Sequence, residues 1–480
     1  MKSQHRQGRP FLQLVALCCL LSSVPVLAAE DNAALIKQGE YVARAADCGA
    51  CHRTVENGGA NLAGGYVIDS PMGKIVASNI TPSKQFGIGN YTEQQLADSL
   101  RKGINADGQH LYPAMPYTSY QGMSDQDIHA LYLYLQQGVK PVDKAVAPTH
   151  LAFPFNIRRL MFGWNLLFLD SHGFVPKVGV TEQITRGQYL VDSLAHCGAC
   201  HTPRNALMAE ENSQYLAGTK LGGWVAPNIT SDKVSGLGNW SDEDLVNFLK
   251  NGHLANRAQA AGGMAEAVEN SFRYLDDADL HAMAAYLHTV PAISDPQQMQ
   301  TVPRDVKPVD MSTLEIGQGE PASLADSSST DGAQLYNSAC SSCHGRDGQG
   351  THDTFYPSLS RNSALNGMHA NNLVMAIIAG IDRQGADLAV NMPALGDDLN
   401  DQQVAAIANY SLKNFGNQKL SVTTQEVATM RRGGDVPMLI TAMPYLLWGG
   451  GLILLVIVVG LVVLMRRHRL ARALDLGRAR

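Results

Sequence analysis

The pentapeptide Cys48-Gly49-Ala50-Cys51-His52 returns as Cys197-Gly198-Ala199-Cys200-His201 and again as Cys340-Ser341-Ser342-Cys343-His344. Two thiols three positions apart can each add across one vinyl group of a porphyrin, and the histidine beside the second thiol then reaches the iron as its proximal ligand. With 8 cysteines and 15 histidines in 480 residues, chance would supply on the order of 0.004 such arrangements. A zinc knuckle would need two cysteine pairs close together, and a redox dithiol or a disulfide has no use for the trailing histidine. The spacing therefore predicts three covalently bound c-type haems. Their attachment points are Cys48 and Cys51, Cys197 and Cys200, and Cys340 and Cys343, with His52, His201 and His344 as proximal ligands.

Each motif sits in a unit that reads as helical. Leu35 to Ala46 leads into the first motif, Thr92 to Arg101 follows with Thr92 as its cap, and Ser124 to Gln136 closes the unit. Between the last two lies Tyr112-Pro113-Ala114-Met115-Pro116, where the prolines cannot continue a helix. A thioether is a soft donor suited to haem iron, so Met115 is the expected distal ligand. In the second unit Asn79-Ile80-Thr81 returns as Asn228-Ile229-Thr230, and Leu275 to His288 is the closing helix. Met115 lies 63 residues after His52, and Met264 lies 63 residues after His201. An incidental core methionine would not keep that register, which makes Met264 the second distal ligand.

The third unit is more compact. Met392, in Asn391-Met392-Pro393, is its candidate ligand; Met375 falls in an apolar helical run from Asn372 to Ala379 that suits packing, and Met368 has less support. Met72, near Met115 in sequence, also reads as packing. The closing helix Asp401 to Lys413 puts Tyr410 where Tyr134 and Tyr286 stand in the other units, each expected against the edge of its haem.

The connectors differ in kind. Asp295 to Ser329 is rich in Pro, Ser, Gln and Asp without helical period and reads as an extended linker. Leu151 to Val175 is apolar and aromatic, with Phe153, Phe155, Phe162, Trp164 and Phe168. Such a segment either packs between the haem units or forms a surface for the membrane, a partner subunit or a quinone.

Both ends bear on location. Lys2, Arg6 and Arg9, the apolar run Phe11 to Leu21 and Val26-Leu27-Ala28 have the form of a secretory leader. Cys18 and Cys19 fall inside it, so the exported chain keeps no cysteine beyond the six. Tyr445 to Met465 is apolar and long enough to cross a bilayer. Six arginines and one acid, Asp475, follow it, which places the tail in the cytoplasm and the haem units in the periplasm of an inner-membrane protein. Since leader and tail are cationic, the formal net charge of −6 understates the acidity of the exported body. An acidic body excludes nucleic acid as a partner.

With the motifs, the paired Asn-Ile-Thr segments and Phe155-Asn156-Ile157-Arg158 in place, the chain resembles the three-haem cytochrome c subunits of bacterial membrane-bound dehydrogenases acting on gluconate, fructose, sorbitol, alcohols or aldehydes. That resemblance implies a mainly α fold: three tandem cytochrome c-type haem domains plus one C-terminal transmembrane helix. The expected division is a signal peptide at 1–28, haem domains at 33–140, 181–294 and 327–417, an apolar connector at 141–180, a linker at 295–326, a transmembrane helix at 437–466 and a basic tail at 467–480.

The resemblance further implies that this subunit does not oxidise the substrate. A catalytic subunit carrying flavin or pyrroloquinoline quinone would do so, a small third subunit is allowed, and ubiquinone in the cytoplasmic membrane would take the electrons. No Gly-x-Gly-x-x-Gly fingerprint and no region large enough for a quinoprotein propeller occurs in the chain. The membrane helix resembles that of the flavoprotein-linked members, which favours a gluconate 2-dehydrogenase type. The other readings are the cytochrome subunit of a quinoprotein alcohol or aldehyde dehydrogenase, a cytochrome arm feeding a terminal oxidase, and a haem peroxidase with an open distal position.

Overall fold

The computed structural model describes residues 24–54, 61–170, 172–255, 257–295, 306–315 and 323–478. Most of the expected leader, part of the glycine loop at Gly58 and Gly59, and much of the 295–326 linker lie outside the described residues. The described chain is largely helical. Strands are confined to a small three-stranded sheet, Val67–Ser70, Gly73–Val76 and His150–Leu151, and to three hairpins.

One helix crossing recurs at all three motifs. The helix Val24–Ala45 crosses Asp125–Leu133, Glu182–Tyr189 crosses Asp277–Leu287, and Gly332–Ala339 crosses Asp401–Phe415. Each crossing point is a glycine. A Cβ on Gly39, Gly187 or Gly332 would stand 2.0, 1.8 or 2.4 Å from the carbonyl oxygen of Ala130, Ala282 or Ala406. The β-carbons of Tyr134, Tyr286 and Tyr410 lie 2.7, 2.9 and 3.0 Å from the same three positions. The aligned tyrosines thus mark where the helices touch, and only a residue without a side chain allows backbones so close.

Helix ends are fixed by local chemistry. Thr92 accepts from Gln95 N at 3.2 Å while the Gln95 side chain accepts from Thr92 N at 2.9 Å, starting Glu93–Lys102 at the expected cap. Ser241 with Asp244 and Asn400 with Gln403 do the same for Asp242–Asn251 and Asp401–Phe415. The helices before the second motif and after the first end in π-helical turns, Leu190–Leu194 and Tyr134–Gly138.

Buried apolar side chains from Val42 to Val290 form one continuous core, and those from Leu335 to Val427 form another. The segments around the first two motifs are therefore fused. Their contact is reciprocal: Tyr41 donates to Asp279 at 2.7 Å, and Tyr189 donates to Asp127 at 2.6 Å. Each hydroxyl also accepts a backbone N–H, from Asp276 at 3.2 Å and from Ser124 at 3.0 Å. Arg186 holds Asp279 and Gln38 holds Asp127 from equivalent places, one residue before Gly187 and Gly39.

The third region docks on the second through polar contacts to backbone. Asn372 both accepts from Val225 N at 2.9 Å and donates to Val225 O at 3.0 Å, and Asn251 accepts from Asp387 N at 2.9 Å. Beyond it, Met438–Arg478 is a single helix that, over Met438–Arg467, is long and apolar enough to cross a membrane. The connector packs against both units, Tyr117 donating to Asn165 at 2.8 Å and Trp164 donating to Leu207 O at 2.9 Å, yet keeps an exposed apolar face. It folds into the helix Leu160–Phe168, with Leu166 76% and Phe162 63% exposed.

Candidate cofactor sites

Each motif is a short helical turn, Cys48–His52, Gly198–His201 or Ser341–His344. In the first two, the residue before the leading cysteine has a left-handed backbone, Asp47 at φ 51° and His196 at φ 42°, which turns the incoming helix into the motif. None of the six motif cysteines is paired in a disulfide. Burial, and then the neighbouring Asp47, pushes the Cys48 thiol up to about 12; burial likewise pushes Cys197 and Cys340 up to about 12. A nucleophilic redox dithiol needs the opposite shift. Among the described residues no three His, Cys, Asp or Glu side chains converge as a zinc knuckle requires.

The three histidines share one hydrogen bond. His52 Nδ1 lies 2.7 Å from Ser78 O, His201 Nδ1 lies 2.7 Å from Pro227 O, and His344 Nδ1 lies 3.1 Å from Pro357 O. A carbonyl oxygen only accepts, so Nδ1 carries the proton and the Nε2 lone pair is left for a metal. Packing around each ring lowers its pKa, which keeps the imidazole neutral, the form that ligates iron. Two cysteines three apart beside a neutral, oriented imidazole fit a c-type haem.

The loop that supplies the carbonyl is clamped by the repeated Asn-Ile-Thr. Asn79 accepts from Thr81 N and Oγ1 at 2.9 and 2.7 Å and donates to Val142 O at 2.8 Å. Asn228 accepts from Thr230 N and Oγ1 at 2.8 and 2.7 Å and donates to Ile293 O at 2.7 Å. The asparagine thus ties the segment after the closing helix to the carbonyl loop, next to Ser78 in one case and Pro227 in the other. The sequence repeat was visible, but not this role.

The methionines are held in three different ways. Met115 lies between the expected prolines, with Tyr117 N donating to its carbonyl at 2.8 Å. Met264 is the second residue of the helix Gly263–Asn270, with no proline beside it. Its restraint is Gly262, at φ 54° and so close to the Trp224 indole that a Cβ would meet the ring at 2.7 Å. Both sulfur-bearing side chains are half-buried against the core that Cys48 and Cys197 also touch. Met392 ends the strand Ala389–Met392, opposite Ile381, half-buried. Met375 instead faces Gly223 of the second region, and Met72 lines an apolar cavity with Phe153 and Trp448.

One cluster joins the first two sites and was not foreseen. Arg53, next to His52, pairs with Glu266, two residues after Met264, at 3.2 Å. Tyr66 donates to Glu266 at 3.2 Å and lies under the Arg53 guanidinium at 4.2 Å. The Cys51 thiol, raised first by burial and then by Asp47 and Glu266, also senses Cys200, so the two motifs are neighbours. More than 200 residues separate Arg53 from Glu266, and nothing local in the sequence links them.

Comparison with known proteins bears on this geometry. The cytochrome c family model matches residues 36–138 and 184–291, and the model for cytochrome c oxidase, cbb3-type, subunit III matches 328–410. The fructose dehydrogenase cytochrome subunit of Gluconobacter japonicus is 45% identical over 446 residues, spanning 90% of this chain and 91% of that protein. The gluconate 2-dehydrogenase cytochrome c subunit of Pantoea cypripedii is 37% identical, over 85% and 92% of the two chains. The alcohol dehydrogenase (quinone) cytochrome c subunit of Gluconacetobacter polyoxogenes is also 37% identical, over 85% and 86%.

Proposed function

Because the chain belongs to the family of cytochrome c subunits of membrane dehydrogenase complexes, electron carriers with covalently bound c-type haem, we propose that it carries three such haems between a catalytic partner and the membrane. Each haem, when bound, supplies one-electron redox chemistry. Cys48, Cys51, His52 and Met115 hold the first; Cys197, Cys200, His201 and Met264 the second; Cys340, Cys343, His344 and Met392 the third. The observation that supports this most is the common Nδ1 to carbonyl bond at all three motifs, which orients each imidazole for an iron.

In this reading the protein's residues fix position and exclude water rather than transform a substrate. The haem domains are 33–140, 181–294 and 327–417, exported behind the leader at 1–28. Met438–Arg467 anchors them in the inner membrane, with the arginine tail in the cytoplasm. Electrons enter from a flavoprotein subunit and leave to ubiquinone. The expected gluconate-oxidising partner is here widened to one oxidising a sugar or sugar acid, since identity is 45% to a fructose dehydrogenase subunit and 37% to a gluconate one.

The test is to extract the complex gently from membranes, identify every subunit by mass, and measure haem and flavin content with fructose, gluconate, polyol and alcohol oxidation. Three haems per chain, a flavin-bearing partner and sugar-dependent haem reduction passed on to a ubiquinone analogue are expected. A pyrroloquinoline quinone partner would move the assignment to alcohols or aldehydes. Quinone reduction unaffected by removal of this subunit would overturn the reading, and co-purification with an oxidase alone would replace it with the oxidase arm.

A further inference from the structure

The connector between the first two motifs is built inside out. In the helix Leu160–Phe168 the polar side chain, Asn165, is buried; it accepts from the Tyr117 hydroxyl at 2.8 Å and donates to Lys102 O at 3.3 Å. Leu160, Phe162, Leu166 and Leu167 point outward at 51, 63, 76 and 67% exposure, and Phe153 joins them at 62%. A helix washed by water shows the reverse pattern. An apolar face of this kind, rimmed by the exposed Arg159, marks a surface made for a non-aqueous neighbour.

A second observation says which neighbour. An apolar cavity of about 670 Å³ has Met72, Phe153 and Phe155 on one wall and Pro444, Leu447 and Trp448 on the other. The start of the connector therefore lies alongside the turn of the C-terminal helix that carries Tyr445 and Trp448, exposed at 79 and 83%. Aromatic residues at the end of a membrane span belong at headgroup level. The outward face of the connector is continuous with that level.

We propose that residues 153–168 lie in the periplasmic leaflet of the bilayer, with phospholipid acyl chains covering Leu160, Phe162, Leu166 and Leu167 and phospholipid headgroups meeting Arg159. This rests on the reading of the apolar run from Tyr445 to Met465 as a membrane span. It also fixes which site is nearest the lipid. Tyr112 and Tyr117 bracket Met115, and both are tied to the connector, Tyr112 donating to Phe155 O at 2.9 Å and Tyr117 to Asn165. Arg158 lies over the Tyr112 ring at 4.6 Å and donates to His110 O at 3.1 Å. The Met115 loop is thereby braced directly on the membrane-embedded segment.

The test uses the intact complex in phosphatidylcholine–phosphatidylglycerol vesicles containing a phospholipid with a photoactivatable diazirine in its acyl chain. After irradiation, peptides are mapped by mass spectrometry. Adducts in 151–169 at a yield of the same order as in 438–466 are expected. Adducts in 438–466 alone would overturn the inference and leave the anchor standing. Adducts in 151–169 that arise only after the dehydrogenase subunit is stripped would also overturn it, because a protein then covers the face. Adducts in neither segment would sink the anchor reading and the inference with it.

Discussion

Arg383 donates through Nη1 to the carbonyl of Ala260 at 2.6 Å and through Nη2 to Oε1 of Gln259 at 3.1 Å. A guanidinium from the hairpin that ends in Met392 thus holds the segment leading to Met264. The side chain is 1% exposed, and no described carboxylate lies within ion-pair distance. Burial lowers its pKa to about 10, so it stays charged at neutral pH. The Arg383→Ala variant leaves two dry acceptors and a void beside Gly252. Loss of docking stability of about 3 kcal/mol is expected, read as a lower thermal midpoint of the haem-loaded protein. A wild-type midpoint would count against the role.

The Tyr41–Asp279 contact makes the fusion of the first two regions sensitive to acid. Burial raises the Asp279 carboxyl, but hydrogen bonds from Arg186 and Tyr41 and the Arg186 charge outweigh it and hold the group below its ordinary value. The unfolded value is about 4, so the contribution is present in full above that pH and is lost as pH falls through the lower folded value. The Asp279→Asn variant should be less stable by about 1–3 kcal/mol at pH 7 and should lose less on acidification than wild type. Parallel stability curves for the two proteins between pH 5 and pH 3, a window chosen around that value of about 4, would refute this.

Gly187 carries the tightest of the three crossings. The Gly187→Ala methyl would sit 1.8 Å from Ala282 O and 2.9 Å from the Tyr286 β-carbon, so the helices must part. Overpacking of this kind costs about 1–3 kcal/mol. The change should lower stability, whereas alanine at Gly163, which meets nothing within 4 Å, should be neutral or favourable. Chemical denaturation of the two variants separates the cases.

If Met115, Met264 and Met392 fill the distal positions, replacing any one with alanine opens one iron. Each single variant should bind carbon monoxide at one haem per chain in the reduced state, and the wild type at none. Met375→Ala should behave as wild type in this assay, because its sulfur faces Gly223. Carbon monoxide binding by the Met375 variant but not by the Met392 variant would exchange their roles.

What could be read from the residues is what depends on near neighbours in the chain. The cysteine and histidine spacing, the Thr92 cap and the apolar C-terminal run are local patterns, and the equal histidine to methionine spacing survives because two regions keep the same loop lengths. The Tyr41–Asp279 exchange, the Arg53–Glu266 pair and Arg383 join residues more than a hundred positions apart, so no window of sequence contains both partners. Restraint of Met264 was invisible for another reason. A proline announces itself, whereas Gly262 matters only because the Trp224 ring occupies the space of its missing side chain. The connector's aromatic content was legible, but its direction was not, since Asn165 is the inward residue.

Asn228 offers the clearest separation of folding from ligand chemistry. Its side chain accepts two hydrogen bonds from Thr230 and donates one to Ile293 O, yet it lies one residue from Pro227, whose carbonyl orients His201. The Asn228→Ala variant should loosen the segment after the closing helix, which Thr230 and Ser231 also hold, and cost about 2–4 kcal/mol from three lost bonds. If His201 ligates a haem, loosening the carbonyl loop takes away its fixed Nδ1 acceptor, and the reduction potential of that haem should shift while those of the others hold. Asn228→Asp keeps both acceptor bonds but sets a carboxylate oxygen against Ile293 O, so it should recover only part of the stability. A potential that stays unchanged in the alanine variant would confine the clamp to holding the chain end.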